Sequence, residues 1–181
     1  MTSKKISVGV MPLGNFPDID LQVIADHIIG CFKLNTQILP PFEPPDNALD
    51  ERRLQYNAGI IIEAMEAVQF GNHDKVIGVL NKDLFIPIFT HVFGEARQGG
   101  KCALVSLFRL MKNSDGSTPP KSLVHERVAK VALHELGHLF DLLHCEHKKC
   151  LMHFSGGIDE VDEMSLDLCE YCSIYLQDKI R

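Results

Sequence analysis

One eleven-residue run near the end of the chain, His134 to His144 (HELGHLFDLLH), constrains the fold more than any other feature. Upstream of it Val124, Val128, Ala132, Leu136 and Phe140 recur every four residues, the apolar stripe of a helix that starts near Leu123. Ser122, which follows Pro119 and Pro120, is its expected N-cap. His134 and His138 lie four apart, and each sits two positions, about 200° of rotation, from Ala132 or Leu136. Both imidazoles therefore leave the helix on one side, away from the stripe. As an HExxH pattern, the pair can grip one zinc ion while Glu135 beside them handles the proton of a water at the metal. Such a site needs a third protein ligand and one open position, and His144 is the natural candidate. Continued helix would carry His144 about 240° round from His138, so the chain has to reverse between them. Asp141 is the expected pivot, because Asp and Asn enter the left-handed region more readily than other residues with side chains.

Four of the six cysteines follow directly. Cys145 and Cys150 are separated by four residues and Cys169 and Cys172 by two (CEHKKC and CEYC), the ligand spacing of structural all-cysteine zinc sites. Four thiolates close the coordination sphere, so the expected role is to staple a C-terminal segment that has little apolar bulk of its own. Two zinc ions per chain are thus expected, one catalytic and one structural. Cys31 and Cys102 read as small core residues, and His27, His73, His91 and His125 as residues without a chemical role. His147 and His153 are close enough in sequence to be rival ligands.

The rest of the chain sets the scaffold. With 181 residues, 45% of them hydrophobic, there is apolar material for the core of one domain. A net charge of −6, with no Lys/Arg run longer than a pair, argues against nucleic acid as a partner. Lys4 and Lys5 precede ISVGVMPLG, which Gly9, Pro12 and Gly14 interrupt, so this stretch reads as a strand and not as a secretory leader. No apolar run is long enough for a membrane helix, and reduced thiols suit a cytoplasmic protein.

Short β-rich runs alternate with helical patterns, which favours an α/β fold with a mainly parallel sheet. Strands are expected over Lys5 to Met11, near Gln37 to Leu39 and over Lys75 to Leu80. Helices are expected over Ile19 to Phe32, with Asp18 as N-cap, and over Leu54 to Phe70. PPFEPPDN is a loop. Phe93 to Arg97 and Lys101 to Met111 read as an antiparallel pair joined at QGG, at one sheet edge.

HELGHLFDLLHCEHKKCLM followed by CEYC, spanning His134 to Cys172, resembles the archaemetzincin signature, a metzincin zinc motif that runs into a Cys pair, a Met and a later CxxC. The resemblance implies that His134, His138 and His144 carry a catalytic zinc and that Glu135 is general base and acid. It further implies that Cys145, Cys150, Cys169 and Cys172 bind a second zinc, and that Met152 forms a Met-turn beneath the active site. Asp141 departs from the family pattern, which has Gly there. For the fold it implies a single metzincin-like α/β domain: a twisted, mostly parallel sheet of about five strands with an antiparallel edge strand lining the cleft, packed on helices. VFGEAR, Val92 to Arg97, is the segment expected at that edge, where its backbone could pair with an extended peptide. The expected division is an N-terminal part, 1–144, that includes the active-site helix, and a small zinc-stapled subdomain, 145–181.

The leading expectation is therefore a monomeric, cytoplasmic zinc metallopeptidase acting on peptide or protein substrates, without nucleic-acid or membrane partners. A zinc-stabilised peptide- or protein-binding module without turnover, or a hydrolase of a non-peptide amide, would use the same residues.

Overall fold

The computed structural model describes residues 5–15, 18–68 and 70–181, so the expectations that touch Lys4 and Gln69 fall outside it. Three central strands are apolar along nearly their whole length, as strands covered on both faces must be. They are β1 (Ser7–Leu13), β5 (Lys75–Leu80) and β9 (Cys102–Ser106); β2 (Asn35–Ile38) and β8 (Gly94–Ala96) close the two edges. The order is β2-β1-β5-β9-β8. All pairs are parallel except β8 with β9, in which Glu95 stands opposite Leu104. This is the expected five-stranded sheet, with VFGEAR at its antiparallel edge.

One face of the sheet is covered by α1 (Asp18–His27) and α3 (Lys121–Leu139), the other by α2 (Ala58–Glu66). The core on the α3 side continues without a break into Cys150, Leu151, Met152, Val161 and Leu176, so the C-terminal segment shares it. That segment holds α4 (Ile158–Glu163) and α5 (Glu170–Ile180).

Several boundaries differ from the sequence reading, each for a local reason. The first helix ends at His27; Ile28–Phe32 form a π-helical turn that stops at Lys33, whose φ is 58°. Asp18 is the first residue of that helix. The second helix begins only at Ala58, because the Asn57 side chain accepts hydrogen bonds from the amides of Gly59 and Ile60 and fixes the start there. Gln55–Asn57 instead form a strand, β4, of a second sheet with β3 (Leu49–Asp50), β6 (Leu84–Ile86) and β7 (Phe89–Val92), ordered β3-β4-β6-β7. Ser122 does not cap α3: the helix opens one residue earlier, and Pro120 occupies the cap position without a side-chain bond.

The buried face of α3 is also broader than the apolar stripe, since Arg127 and Lys130 are each only 1% exposed. Arg127 grips the Asp162 carboxylate at 2.7 and 2.6 Å and also donates to the carbonyls of Leu110 and Lys112. Lys130 pairs with Glu126 and donates to the Asp162 carbonyl. A buried cation is tolerable only when paired and hydrogen-bonded in this way, and the result fastens α4 to α3.

Candidate metal centre

Helix periodicity brings His134 and His138 together, and the turn after the helix brings in the third ring. Phe140 ends α3, its amide donating to the Gly137 carbonyl and that of Asp141 to the His138 carbonyl, and Asp141 takes a left-handed φ of 66°. The reversal expected at Asp141 is therefore present, steadied by an ion pair of its carboxylate with Lys179 at 2.8 Å. It returns His144 to its two partners: the ring centroids of His134 and His138 lie 5.3 and 4.8 Å from that of His144.

The hydrogen bonds fix the tautomers. His134 Nδ1 lies 2.8 Å from the Leu151 carbonyl, and His138 Nδ1 lies 2.7 Å from that of Leu142. A carbonyl only accepts, so each Nδ1 carries the proton and each Nε2 presents a lone pair. Those two Nε2 atoms face each other at 3.1 Å. Two acceptors at that distance repel unless a cation lies between them, and a tetrahedral zinc with ligands at about 2.05 Å would set them about 3.3 Å apart.

Burial is the main cause that holds all three imidazoles neutral, pushing His134 down to about 3 and lowering His138 and His144 as well. Neutral rings are ready to ligate. The donor set fits zinc with one position left open.

Glu135, 7% exposed, stands on the cleft side of the same helix turn, and burial together with the neighbouring Glu95 raises its pKa well above the usual carboxylate range. The edge strand comes very close to it. A Cβ on Gly94 would stand 2.6 Å from both Cγ and Oε1 of Glu135, so only glycine fits there.

Beneath the site Met152 packs its sulfur against Gly137, where a Cβ would lie 2.5 Å from Sδ. The methionine that the resemblance places beneath the site thus packs against a glycine one residue before His138.

A cleft of about 420 Å³ opens over this group. Its walls are β8, the β6–β7 hairpin with Phe89, the His-bearing turn of α3, and Phe154, Val161 and Met164 from the C-terminal segment. Phe154 meets His144 edge-on at 5.2 Å and lies tilted against Phe89 at 6.0 Å. β8 and the histidines were expected at the cleft, whereas Phe89, Phe154, Val161 and Met164 did not stand out in the sequence. Within that expected edge strand, Gly94 carries a signal of its own, as a lone glycine inside a strand pattern. His91, expected to be inert, also lies on the cleft wall.

The four cysteines converge separately. Cys145, Cys150, Cys169 and Cys172 bring their sulfurs within 4.8 Å of one another, with Cys145 and Cys169 3.7 Å apart. Tetrahedral zinc with sulfur ligands at about 2.3 Å would place them about 3.8 Å apart, so this set fits a closed zinc site. Among the described residues these two groups are the candidate metal clusters, and neither includes His147 or His153. His153 instead directs its Nδ1 to the Cys145 carbonyl at 2.8 Å. Cys102 is buried in the core as expected, whereas Cys31 is exposed.

Known proteins share both sequence and fold. The model of peptidase family M54 matches residues 20–178. The archaemetzincin of Methanocaldococcus jannaschii is 35% identical over 170 residues, covering 94% of this chain and 92% of its own length. That of Haloquadratum walsbyi is 33% identical over 169 residues, covering 92% and 96%. The crystal structure of the Methanopyrus kandleri archaemetzincin superposes with a TM-score of 0.87 at 30% identity, covering 99% of this chain and 97% of that one. The Archaeoglobus fulgidus archaemetzincin, solved in complex with malonate, gives 0.81 at 29% identity, covering 94% and 99%. Family model, relatives and fold agree, and the chain belongs to peptidase family M54, the archaemetzincin zinc metalloproteases.

Proposed function

We propose that this metalloprotease hydrolyses peptide bonds at the His134–His138–His144 site, with Glu135 as general base and then general acid. The observation that carries the reading is the pair of proton-free Nε2 atoms facing each other at 3.1 Å, with His144 completing the triad. When bound there, zinc supplies Lewis acidity toward a carbonyl and lowers the pKa of water to near neutrality.

Glu135 accepts the proton of the attacking water and delivers it to the departing amine. Its burial favours this work, since a carboxyl with a raised pKa holds a proton long enough to pass it on. Among the described residues the outer edge of β8 has no strand partner, so an extended substrate can lie along it with its scissile bond over the histidines.

The four cysteines hold a second, structural zinc that staples 145–181 to the N-terminal part, 1–144. Zinc thiolates of this kind require a reducing compartment, so a cytoplasmic location, with the enzyme acting as a monomer, completes the reading.

The test is a diverse peptide mixture incubated with the enzyme and read by mass spectrometry, beside Glu135→Gln. The variant is expected to keep both metals and lose on the order of 10²- to 10⁴-fold in turnover. Undiminished cleavage by Glu135→Gln would remove the general-base role.

A further inference from the structure

We propose that the four-thiolate cluster is a positioning device for the histidine site, so that the two cations bind cooperatively. This rests on the two-site reading above.

The two ligand sets are joined by adjacent residues and short backbone bonds. His144 and Cys145 are consecutive. The Cys145 amide donates to the Met152 carbonyl at 2.8 Å, and the Cys145 carbonyl accepts from His153 Nδ1. Leu151, between Cys150 and Met152, is fully buried and is tied at both ends. Its amide donates to the Asp167 carbonyl at 3.0 Å, and its carbonyl orients His134. Cys150 Sγ meanwhile lies within hydrogen-bonding reach of the amides of Met152 and Cys169.

Closing the cluster on a cation therefore fixes the carbonyl that sets the His134 tautomer, the methionine under Gly137, and the backbone entry of His144. Opening it frees all three, because the cation is the link that ties the Cys145 and Cys150 sulfurs to those of Cys169 and Cys172. Loss of an orienting partner outside the ligand set typically weakens metal binding about 10- to 100-fold. By linkage, the histidine cation must tighten the cluster by the same factor as the cluster tightens it.

Cobalt(II) is the probe, because thiolate and imidazole sites give separate absorption bands. Chelator competition on the full chain would compare wild type, the double variant Cys169→Ser/Cys172→Ser, and His153→Ala, which keeps all seven ligands but cuts the bond to Cys145. The histidine band is expected to lose cobalt at about 10- to 100-fold lower chelator in the double variant, and His153→Ala to fall between it and wild type. In His138→Ala the thiolate band should weaken correspondingly. Circular dichroism reports whether each variant is folded. Should the double variant unfold, the decision passes to His153→Ala and His138→Ala, and wild-type affinity in both overturns the proposal. Uptake of a single cobalt by wild type would overturn the two-site reading itself, whereas two ions with independent affinities would overturn only the coupling.

Discussion

At the scale of single residues, the site depends on a few side chains that must be absent as much as on those present. Gly94 lets the edge strand approach Glu135 to a distance no Cβ could occupy. Gly94→Ala should therefore displace the Glu135 carboxylate while leaving the histidines in place. Activity on peptides is expected to fall on the order of 10²-fold with zinc content unchanged, measured by turnover and metal analysis of the same sample. An active Gly94→Ala would mean that Glu135 has freedom the close packing denies it.

The buried rings make a second prediction, for the metal-free protein. His134, His138 and His144 have folded pKa values below the 6.5 of a free imidazole, with His134 at about 3. The unfolded chain then binds more protons below pH 6.5, so their contribution to stability is present above that pH and is lost as pH falls toward about 3. Glu135 has the opposite sign: its raised pKa contributes stability below the ordinary value of 4.5, lost as pH rises through the folded value. Thermal unfolding of chelated protein should show Tm falling between pH 7 and pH 5, and falling less in His134→Asn. A Tm that does not change over this range would contradict the burial argument.

At the scale of elements, the turn after α3 decides whether the third imidazole reaches the other two. Asp141 holds a left-handed backbone that costs an L-residue roughly 1–2 kcal/mol, most for β-branched side chains. Asp141→Val should destabilise by about that amount and loosen zinc at the histidines; Asp141→Gly should be close to neutral, losing only the exposed pair with Lys179. Denaturant unfolding with zinc titration separates the two variants, and equal behaviour would show that the turn carries no strain.

Elements with a long period or a fixed spacing were legible in the sequence: α3, the parallel strands, the β8–β9 edge, and the convergence of the three histidines and of the four cysteines. The second sheet was not, because its strands are two to four residues long, and β4 runs directly into the Asn57 cap. The six-residue helix α4 is likewise too short to show a period, and no pattern in the sequence marks Arg127 and Lys130 as the side chains that fasten it.

At the scale of the whole molecule, the sheet and α3 form a scaffold whose edge strand, helix and C-terminal segment meet at one cleft. The segment that holds the four cysteines also supplies Leu151, Met152 and Phe154, which orient His134, pack against Gly137 and wall the cleft. Fold and chemistry thus share residues, and no helix among the described residues is long and apolar enough to cross a membrane.

The most direct test is anomalous scattering at the zinc edge from crystals grown with zinc. Two peaks per chain are expected: one about 2.0–2.1 Å from the Nε2 atoms of His134 and His138 and a nitrogen of His144, and one about 2.3 Å from the four sulfurs. A map with no peak among the three imidazoles in excess zinc, or with the ring of His144 turned away from it, would contradict the account.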